Sequence, residues 1–382
     1  MKNLALYVHI PFCESKCSYC NFISFCLKEE KQEEYVNALI NEIKLQSSSY
    51  KNYVVDTIFI GGGTPSVLKT GLLTKIFNEL KTNFHIDENA EITIEANPNS
   101  ITESFAKEIK DCGVNRVSVG LQSANNKLLK QINRIHTKED FEHAVTTLKN
   151  YGFYNINADL LLGLPNQTLN DVKNSLDLLL NNNIPHISCY GLILEEGTKL
   201  YSQIQNKKFV LPSEDESNEM YAFVYEYLKE HNVFRYEVSN FSKPNYECKH
   251  NFRYWTRDNY LGLGLASYSL INNVRFNNEH NFNEYTNYYN NINNNKNIKI
   301  FNKEMLNEND IYEETIMLNL RTERGINLLE FEKQFNFNLM EKKKKEIEKL
   351  IKLDLIKVEN NCLKATNSGF YVLNQIILEL MN

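Results

Sequence analysis

Three cysteines near the start of the chain have the spacing for iron–sulfur chemistry. Cys13, Cys17 and Cys20 lie on one short segment. Three thiolates on such a segment can hold three irons of a [4Fe–4S] cluster and leave the fourth iron free to bind a small molecule. A zinc site is the alternative, but zinc normally takes a fourth Cys or His, and the available His9 lies at the end of a predicted strand. The remaining cysteines stand alone and are predicted to be structural thiols: Cys26, Cys112, Cys189, Cys248 and Cys362.

A run of three glycines is the second motif. Gly61, Gly62 and Gly63 are followed by Thr64 and come directly after the second predicted strand. Consecutive glycines let the backbone approach a ligand without an intervening side chain. Such a run is most often a tight turn, but its place beside the cysteine segment favours a ligand-binding loop.

Polar side chains in three further predicted strands form the third motif. Glu95, Gln122 and Asp159 lie at or near the ends of apolar segments, and Arg134 follows in a loop. An acid in an apolar strand is destabilising unless it is paired or bound to a ligand, and each one alone could instead cap a helix or pair with a lysine. Together they suit the hydroxyl groups of a ribose, while Arg134 suits a carboxylate.

Alternating strands and helices must position these motifs. The predicted strands are 4–10, 57–61, 92–96, 116–120, 156–162 and 187–194, and the predicted helices between them are 30–46, 70–82, 102–112, 137–151 and 169–181. Serial βα units predict an α/β fold, a partial (β/α)6 barrel of the TIM type, with an open doubly wound sheet as the alternative. The barrel is favoured because the motif residues lie at the carboxyl ends of strands, where barrel sites are built.

The pattern changes beyond residue 211. A helical stretch at 213–231 precedes a segment rich in glycine and aromatic residues at 235–276, and the Asn- and Tyr-rich segment 287–297 is predicted to be a linker or solvated loop. Helical segments at 308–320, 328–335 and 339–353 with a ribbon at 355–365 predict a winged-helix-like module. Its lysine run at 342–345 is interleaved with glutamates, which favours a solvated face over DNA binding. The predicted domains are a core at 1–235, a connecting region at 236–300 and a C-terminal domain at 301–382.

The composition disfavours several classes of protein. The 382 residues carry a formal net charge of -6, which does not suggest nucleic-acid binding. No apolar stretch of about 18 residues predicts a transmembrane segment, and the first residues lack the layout of a signal peptide. Eight cysteines in a chain of this size do not indicate a disulfide scaffold, so a reducing cytoplasmic location is expected.

The motifs, in this order, resemble those of the radical S-adenosylmethionine (SAM) group that contains the oxygen-independent coproporphyrinogen III oxidases and the heme chaperones of the HemW type. The resemblance covers nearly the whole chain through the segments 6–13, 61–66, 120–123, 133–134 and 159–165 and into the C-terminal module. It implies that Cys13, Cys17 and Cys20 hold a [4Fe–4S] cluster whose open iron takes SAM.

The resemblance also implies two SAM positions. By motif, one SAM would contact Tyr7, Gly62 and Glu95. The second would contact Tyr19, Gly63, Thr64, Gln122, Arg134 and Asp159. A Gly63→Val substitution is therefore expected to weaken SAM binding and to leave the cluster content unchanged.

Three features favour the chaperones over the oxidases. Phe22 stands where the oxidases have a further cysteine, and Tyr7 is preceded by six residues where they have a long arm. The segment 250–255, His-Asn-Phe-Arg-Tyr-Trp, resembles the chaperones. His250 could ligate heme iron while nearby rings pack on the macrocycle, and such binding would weaken below about pH 6. Alternatively, His250 caps the sheet, and Tyr254 and Trp255 belong to the core.

The resemblance thus implies a heme chaperone that binds heme, a [4Fe–4S] cluster and SAM. It would transfer heme to acceptor proteins, for which respiratory proteins are a candidate class. An oxygen-independent coproporphyrinogen III oxidase using SAM radical chemistry is the alternative, and whether the protein is an enzyme stays open at this point.

Overall fold

Six parallel strands in sequential order form the centre of the molecule. The computed structural model of the chain describes residues 2–26, 29–292 and 298–381. Each central strand is largely apolar and pairs in parallel with the next one along the chain. They are β1 (Lys2–Ile10), β2 (Tyr53–Gly62), β3 (Ile86–Ala96), β4 (Arg116–Gln122), β5 (Ile156–Leu162) and β6 (His186–Gly191). This sequential order confirms the predicted partial barrel over the doubly wound sheet, in which the strand order would reverse.

Helices connect the strands. They are α1 (Glu29–Ser47), α2 (Leu72–Asn83), α3 (Glu103–Asp111), α4 (Asn126–Gln131), α5 (Lys138–Asn150) and α6 (Leu169–Asn181). Their starts follow from local capping: Thr137 and Asp140 form a capping box for α5, and Thr168 and Asp171 form one for α6. The short helix α4 was not predicted. Among the described residues, no helix combines the length and apolar character that a membrane crossing requires.

Later segments extend the sheet at both edges. The elements are α7 (Lys199–Gln205), α8 (Glu214–Glu230), β7 (Phe234–Arg235), β8 (Asn240–Ser242), α9 (Lys249–Trp255), β9 (Tyr260–Leu263), β10 (Tyr268–Ile271), β11 (Val274–Asn277), α10 (Phe282–Asn290) and β12 (Phe301–Met305). Strand β9 pairs in parallel with β1, while β8 runs antiparallel to β6. Each edge of the barrel sheet therefore has a partner strand, and the barrel stays partial.

The predicted linker at 287–297 is wrong over its first residues. Helix α10 continues to Asn290, and it buries Tyr285 and Tyr289 against α1. The repeated tyrosines are thus an apolar face of a helix rather than part of a solvated loop. Residues 293–297 of that segment lie outside the described residues.

The C-terminal module has its own hydrophobic core. It comprises α11 (Glu308–Asn319), β13 (Ile326–Asn327), α12 (Leu328–Phe335), α13 (Leu339–Lys342), α14 (Lys344–Lys352), β14 (Ile356–Glu359), β15 (Cys362–Ala365), α15 (Asn367–Tyr371) and α16 (Leu373–Met381). Helices packed on the antiparallel sheet β13-β15-β14 confirm the winged-helix-like arrangement. The predicted single helix at 339–353 is divided at Lys343, and the two terminal helices were not predicted.

Candidate functional site

The cysteine segment is a loop closed at its base. It leaves β1 at Ile10 and returns where Phe12 bridges Phe25. The backbone N–H of Cys13 donates to the carbonyl of Phe25 at 3.0 Å, and that of Phe25 donates to the carbonyl of Pro11 at 2.8 Å. This base holds the loop against the carboxyl end of the barrel sheet.

The loop turns its three free thiols toward one cavity of about 150 Å³. Thr64 donates its hydroxyl to Cys13 Sγ at 3.6 Å, and Arg134 Nη1 donates to Cys17 Sγ at 3.3 Å. Burial raises the pKa of Cys13 and of Cys20. Three sulfur donors facing one cavity, with a hydroxyl and a guanidinium donating to the sulfurs, fit an iron–sulfur cluster.

The zinc alternative lacks a fourth ligand. Both ring nitrogens of His9 are engaged, with the hydroxyl of Tyr7 at 3.0 Å and the carbonyl of Ile23 at 3.0 Å. The donor set therefore suits a cluster better than one zinc ion.

The glycine run packs directly on the cysteine loop. The backbone N–H groups of Gly63 and Thr64 donate to the carbonyls of Ile10 and Phe12 at 2.9 and 2.6 Å. A Cβ at Gly63 would lie 2.5 Å from the carbonyl oxygen of Phe12. A side chain at Gly63 would thus first displace the cysteine loop, which gives a second physical reason for an effect of Gly63→Val; the expected effect on SAM binding stays a prediction.

The neighbouring Gly62 donates a hydrogen bond to the acid of the next strand. It adopts φ +108°, and a side chain there would collide with the ring of His9. Its N–H donates to Glu95 Oε2 at 3.0 Å. Glycine is required at this position because it tolerates positive φ and leaves no Cβ against the imidazole.

The two acids and the arginine meet above the sheet. Glu95, Asp159 and Arg134 all line the cavity of the cysteines, together with Gln122. Burial, and then the charge of Asp159, raise the pKa of Glu95 to about 7. Burial also raises the pKa of Asp159, although Asn157 donates to its carboxylate at 2.8 Å. Two carboxyl groups with raised pKa values that share a cavity with a cation can accept hydrogen bonds from polar ligand groups.

Arg134 is set to bind an anion beside the cysteines. Its Nη2 donates to the carbonyl of Gly120 at 2.6 Å, while its buried Nε has no partner among the described residues. Tyr19 lines the same cavity and packs on Leu161. The structure therefore brings Gly62, Gly63, Thr64, Glu95, Gln122, Arg134, Asp159 and Tyr19 together with the three cysteines.

A second, larger cavity of about 490 Å³ continues from the first one into the barrel. Tyr19, Glu95 and Asp159 line both cavities. The larger one also reaches Phe59 on β2 and Arg116 on β4. The two cavities together form one continuous site at the carboxyl ends of the strands.

Tyr7 and His250 are not brought into these cavities. The hydroxyl of Tyr7 shares a hydrogen bond with Nδ1 of His9. The ring of Tyr7 stacks on that of Phe59, with ring centroids 6.3 Å apart. His250 is buried, and its two ring nitrogens lie 2.9 Å from the hydroxyls of Thr57 and Tyr254. This geometry matches the structural role proposed as the alternative for His250. Ligation of heme iron by His250 stays a prediction, and it requires that one of these hydrogen bonds break.

Several cavity residues were missed in the sequence. Phe22, Tyr190 and Ile193 line the mouth of the larger cavity, and Arg116 lies at its floor. Arg116 could have been found from β4 alone, because residues 116, 118, 120 and 122 share one face of a strand and Gln122 was already predicted to face the site. Phe22 and Ile193 at the mouth lie on loops, for which no comparable periodicity exists, whereas Tyr190 lies near the end of β6.

Comparisons with known proteins agree with this arrangement. The family model of the Radical SAM superfamily matches residues 7–179, and that of the HemN C-terminal domain matches residues 306–372. The heme chaperone HemW of Lactococcus lactis subsp. lactis is 33% identical, with 97% of this chain and 95% of the relative covered. The chain belongs to the HemW family of radical SAM proteins.

Other HemW relatives support this assignment. The heme chaperone HemW of Escherichia coli is 34% identical over 70% of each chain, and that of Bacillus subtilis is 36% identical over 70% of this chain and 71% of the relative. The solved structure of coproporphyrinogen III oxidase HemN from Escherichia coli covers 100% of this chain and 90% of its own, with a TM-score of 0.86 and 22% identity. That likeness shows that this chain has the HemN fold. Membership in the radical SAM superfamily implies a [4Fe–4S] cluster and SAM.

Proposed function

We propose that the protein is a heme chaperone that binds heme at the barrel mouth and passes it to heme-accepting proteins in the cytoplasm. A [4Fe–4S] cluster and SAM would occupy the adjoining cavity. The names of the HemW relatives suggest heme as the ligand. The shape and lining of the larger cavity support it.

The observation that carries the proposal is the apolar mouth of this cavity. Phe22 is 69% exposed and Ile193 is 72% exposed, and both line the opening together with Tyr190. Large apolar side chains grouped at the edge of a polar cavity mark a ligand-binding surface. A flat aromatic macrocycle with polar substituents would cover these side chains and direct its substituents into the cavity.

The residues of the adjoining cavity would hold the other two groups. Cys13, Cys17 and Cys20 supply thiolates, and the guanidinium of Arg134 lies against the sulfur of Cys17. A bound cluster supplies an open iron for SAM and the electron that reductive SAM chemistry needs. Glu95 and Asp159 are placed to accept hydrogen bonds from ribose hydroxyls.

Anaerobic reconstitution followed by heme titration tests the proposal. We expect about four irons per chain and saturable heme binding with one heme per chain. Heme-loaded protein should deliver heme to an apoprotein, for which apomyoglobin is a convenient acceptor. Turnover of coproporphyrinogen III with SAM and reductant, in the absence of saturable heme binding, would instead identify the oxidase.

Two variants, each lacking a different cysteine, test the assignment of the cluster ligands. Cys17→Ala is expected to lose the cluster iron, because it removes one of the three thiolates that line the cavity. Cys26→Ala should keep it, since Cys26 is exposed and does not line the cavity. A full cluster in Cys17→Ala would contradict the ligand assignment.

A further inference from the structure

A buried arginine, Arg116, lies at the floor of the larger cavity. Arg116 is the first residue of β4, its exposed fraction is 2%, and it lines this cavity. Within the described part of the chain, its Nε has no hydrogen-bond partner. A buried guanidinium normally has its donors satisfied, because an unpaired buried donor is destabilising.

The acids near Arg116 accept hydrogen bonds from other groups. Glu91 caps helix α9: its carboxylate accepts from the backbone N–H groups of Lys249 and His250, both at 3.0 Å. Asp159 accepts from Asn157 at 2.8 Å and from Ser118 at 3.4 Å. None of the ion pairs found among the described residues includes Arg116. The guanidinium is thus attracted to these acids at longer range and bonded to neither.

The strand beside Arg116 contributes a second unpaired polar atom. Thr93 on β3 is the register partner of Arg116, and it is fully buried. Its hydroxyl also lacks a partner among the described residues. Thr93 does not line the larger cavity, so it marks a polar interior beside Arg116, and Arg116 is the group that a ligand in the cavity can reach.

The cavity is deep enough to admit a polar ligand group from above. Arg116 and Gln122 are the two ends of β4, and both line the cavity. Six residue steps at about 3.3 Å each separate the floor from the mouth by about 20 Å. A propionate arm of three carbon atoms is much shorter than this distance, so a ligand must pass into the cavity itself, beyond Phe22 and Ile193, for its carboxylate to reach Arg116.

The positive charge of Arg116 indicates that the ligand group it binds is an anion. Burial lowers the pKa of Arg116, but the nearby Cys248 and Glu91 raise it by more, so that its pKa lies above the ordinary value and the guanidinium stays charged. A planar cation with several donors matches a carboxylate in two-point geometry.

We propose that Arg116 binds a carboxylate group of a ligand that enters the barrel cavity from its apolar mouth. A propionate of a porphyrin is one source, and this source rests on the proposed heme-binding function. The amino-acid carboxylate of the second SAM is the other source, because that of the first SAM would bind the open iron of the cluster.

Metal-free porphyrins test the first source without any contribution from iron ligation. Mesoporphyrin and its dimethyl ester are titrated against the reconstituted protein, and we expect the diacid to bind about tenfold more tightly than the diester. Arg116→Gln should reduce the ratio of the diacid affinity to the diester affinity to near one. Arg116→Lys keeps the charge and serves if the first variant does not fold, as checked by circular dichroism. Its ratio should fall at least threefold, because lysine lacks the two-point geometry.

The control is a second buried arginine, which lines neither of the two cavities. Arg235→Lys alters a side chain that is 2% exposed and paired with Glu323 at 2.7 Å, and it should leave the ratio unchanged. Calorimetry with SAM on the same variants tests the other source. A loss of SAM affinity in Arg116→Lys with an unchanged porphyrin ratio would assign the carboxylate to SAM.

Each remaining outcome is decisive. Unchanged porphyrin ratios and unchanged SAM affinity in both Arg116 variants would show that Arg116 is structural and overturn the inference. A ratio of one in the unmodified protein excludes the propionate even if no variant folds. Absence of binding by metal-free porphyrins and by heme alike would reject the proposed heme function, and the SAM titration would then decide the role of Arg116 by itself.

Discussion

At the scale of single residues, burial is the main influence on the pKa values of groups in the barrel interior, ahead of the pairing of opposite charges. His250 shows this most clearly, because burial and then the charge of Arg116 lower its pKa to about 3. The expected loss of heme binding below about pH 6 assumed an ordinary histidine. A buried neutral His250 would stay unprotonated through that range, so any heme bond that it makes would persist to lower pH.

This pKa predicts an acid-dependent stability. Between about pH 6.5 and 3 the unfolded chain binds a proton at His250 that the folded chain excludes, so the free energy of unfolding falls as the pH falls through this window. From pH 7 to pH 5 the contribution is about 2 kcal/mol. His250→Gln should lose about that much of the pH dependence, measured by urea denaturation at the two pH values.

The exposed His85 supplies the control for this measurement. His85→Gln should show the same decrease in stability as the unmodified protein. An equal decrease in His250→Gln would mean that His250 is protonated in the folded state, and the buried neutral assignment would be wrong. Heme titration of the same variant reports separately on ligation.

At the scale of elements, the site depends on how two loops pack at the ends of β1 and β2. The cysteine loop and the glycine run share backbone hydrogen bonds, and Gly63 leaves no room for a side chain between them. The proposed cluster position and the proposed SAM position are therefore coupled through the backbone. Neither loop can be changed at this contact without moving the other.

Gly63→Ala is expected to reduce iron content and SAM affinity together. Its Cβ would lie 2.5 Å from the carbonyl oxygen of Phe12, so the cysteine loop must move. Iron analysis after anaerobic reconstitution and calorimetry with SAM measure the two effects. Gly71→Ala is the control, because a Cβ there meets no atom within 4 Å and Gly71 lines neither cavity; its φ of +89° makes this substitution a test of backbone strain alone. Full iron content with weakened SAM binding would restore the explanation that a side chain blocks the ligand.

At the scale of the whole molecule, a few polar residues join the C-terminal module to the barrel. Arg235 pairs with Glu323 at 2.7 Å and donates to Asn367 at 3.1 Å. Its guanidinium also lies over the rings of Phe370 and Tyr225, at 3.5 and 4.5 Å from their centroids. This buried cation belongs to the barrel edge, whereas Glu323, Asn367 and Phe370 belong to the module.

Glu323→Gln should destabilise the protein by about 1–3 kcal/mol, because it removes the charge partner of a buried cation. Urea denaturation measures the change. Glu348→Gln is the control: the pair of Glu348 with Lys344 is exposed and 4.0 Å long, so its loss should cost less than about 0.5 kcal/mol. Equal effects of the two substitutions would show that Arg235 does not join the two parts.

The sequence by itself determined the features that depend on neighbouring residues. The limits of β5, α6 and α12 match their predictions, because apolar periodicity and capping residues act within a few positions. The cysteine spacing likewise predicted three thiols on one loop, and the serial βα pattern predicted the barrel. The tertiary structure alone decided the partners of His250, because Thr57 lies 193 positions away in the chain. It also decided that α10 buries its tyrosines and that Arg116 reaches the cavity floor, since burial depends on which elements pack together and no local pattern records that.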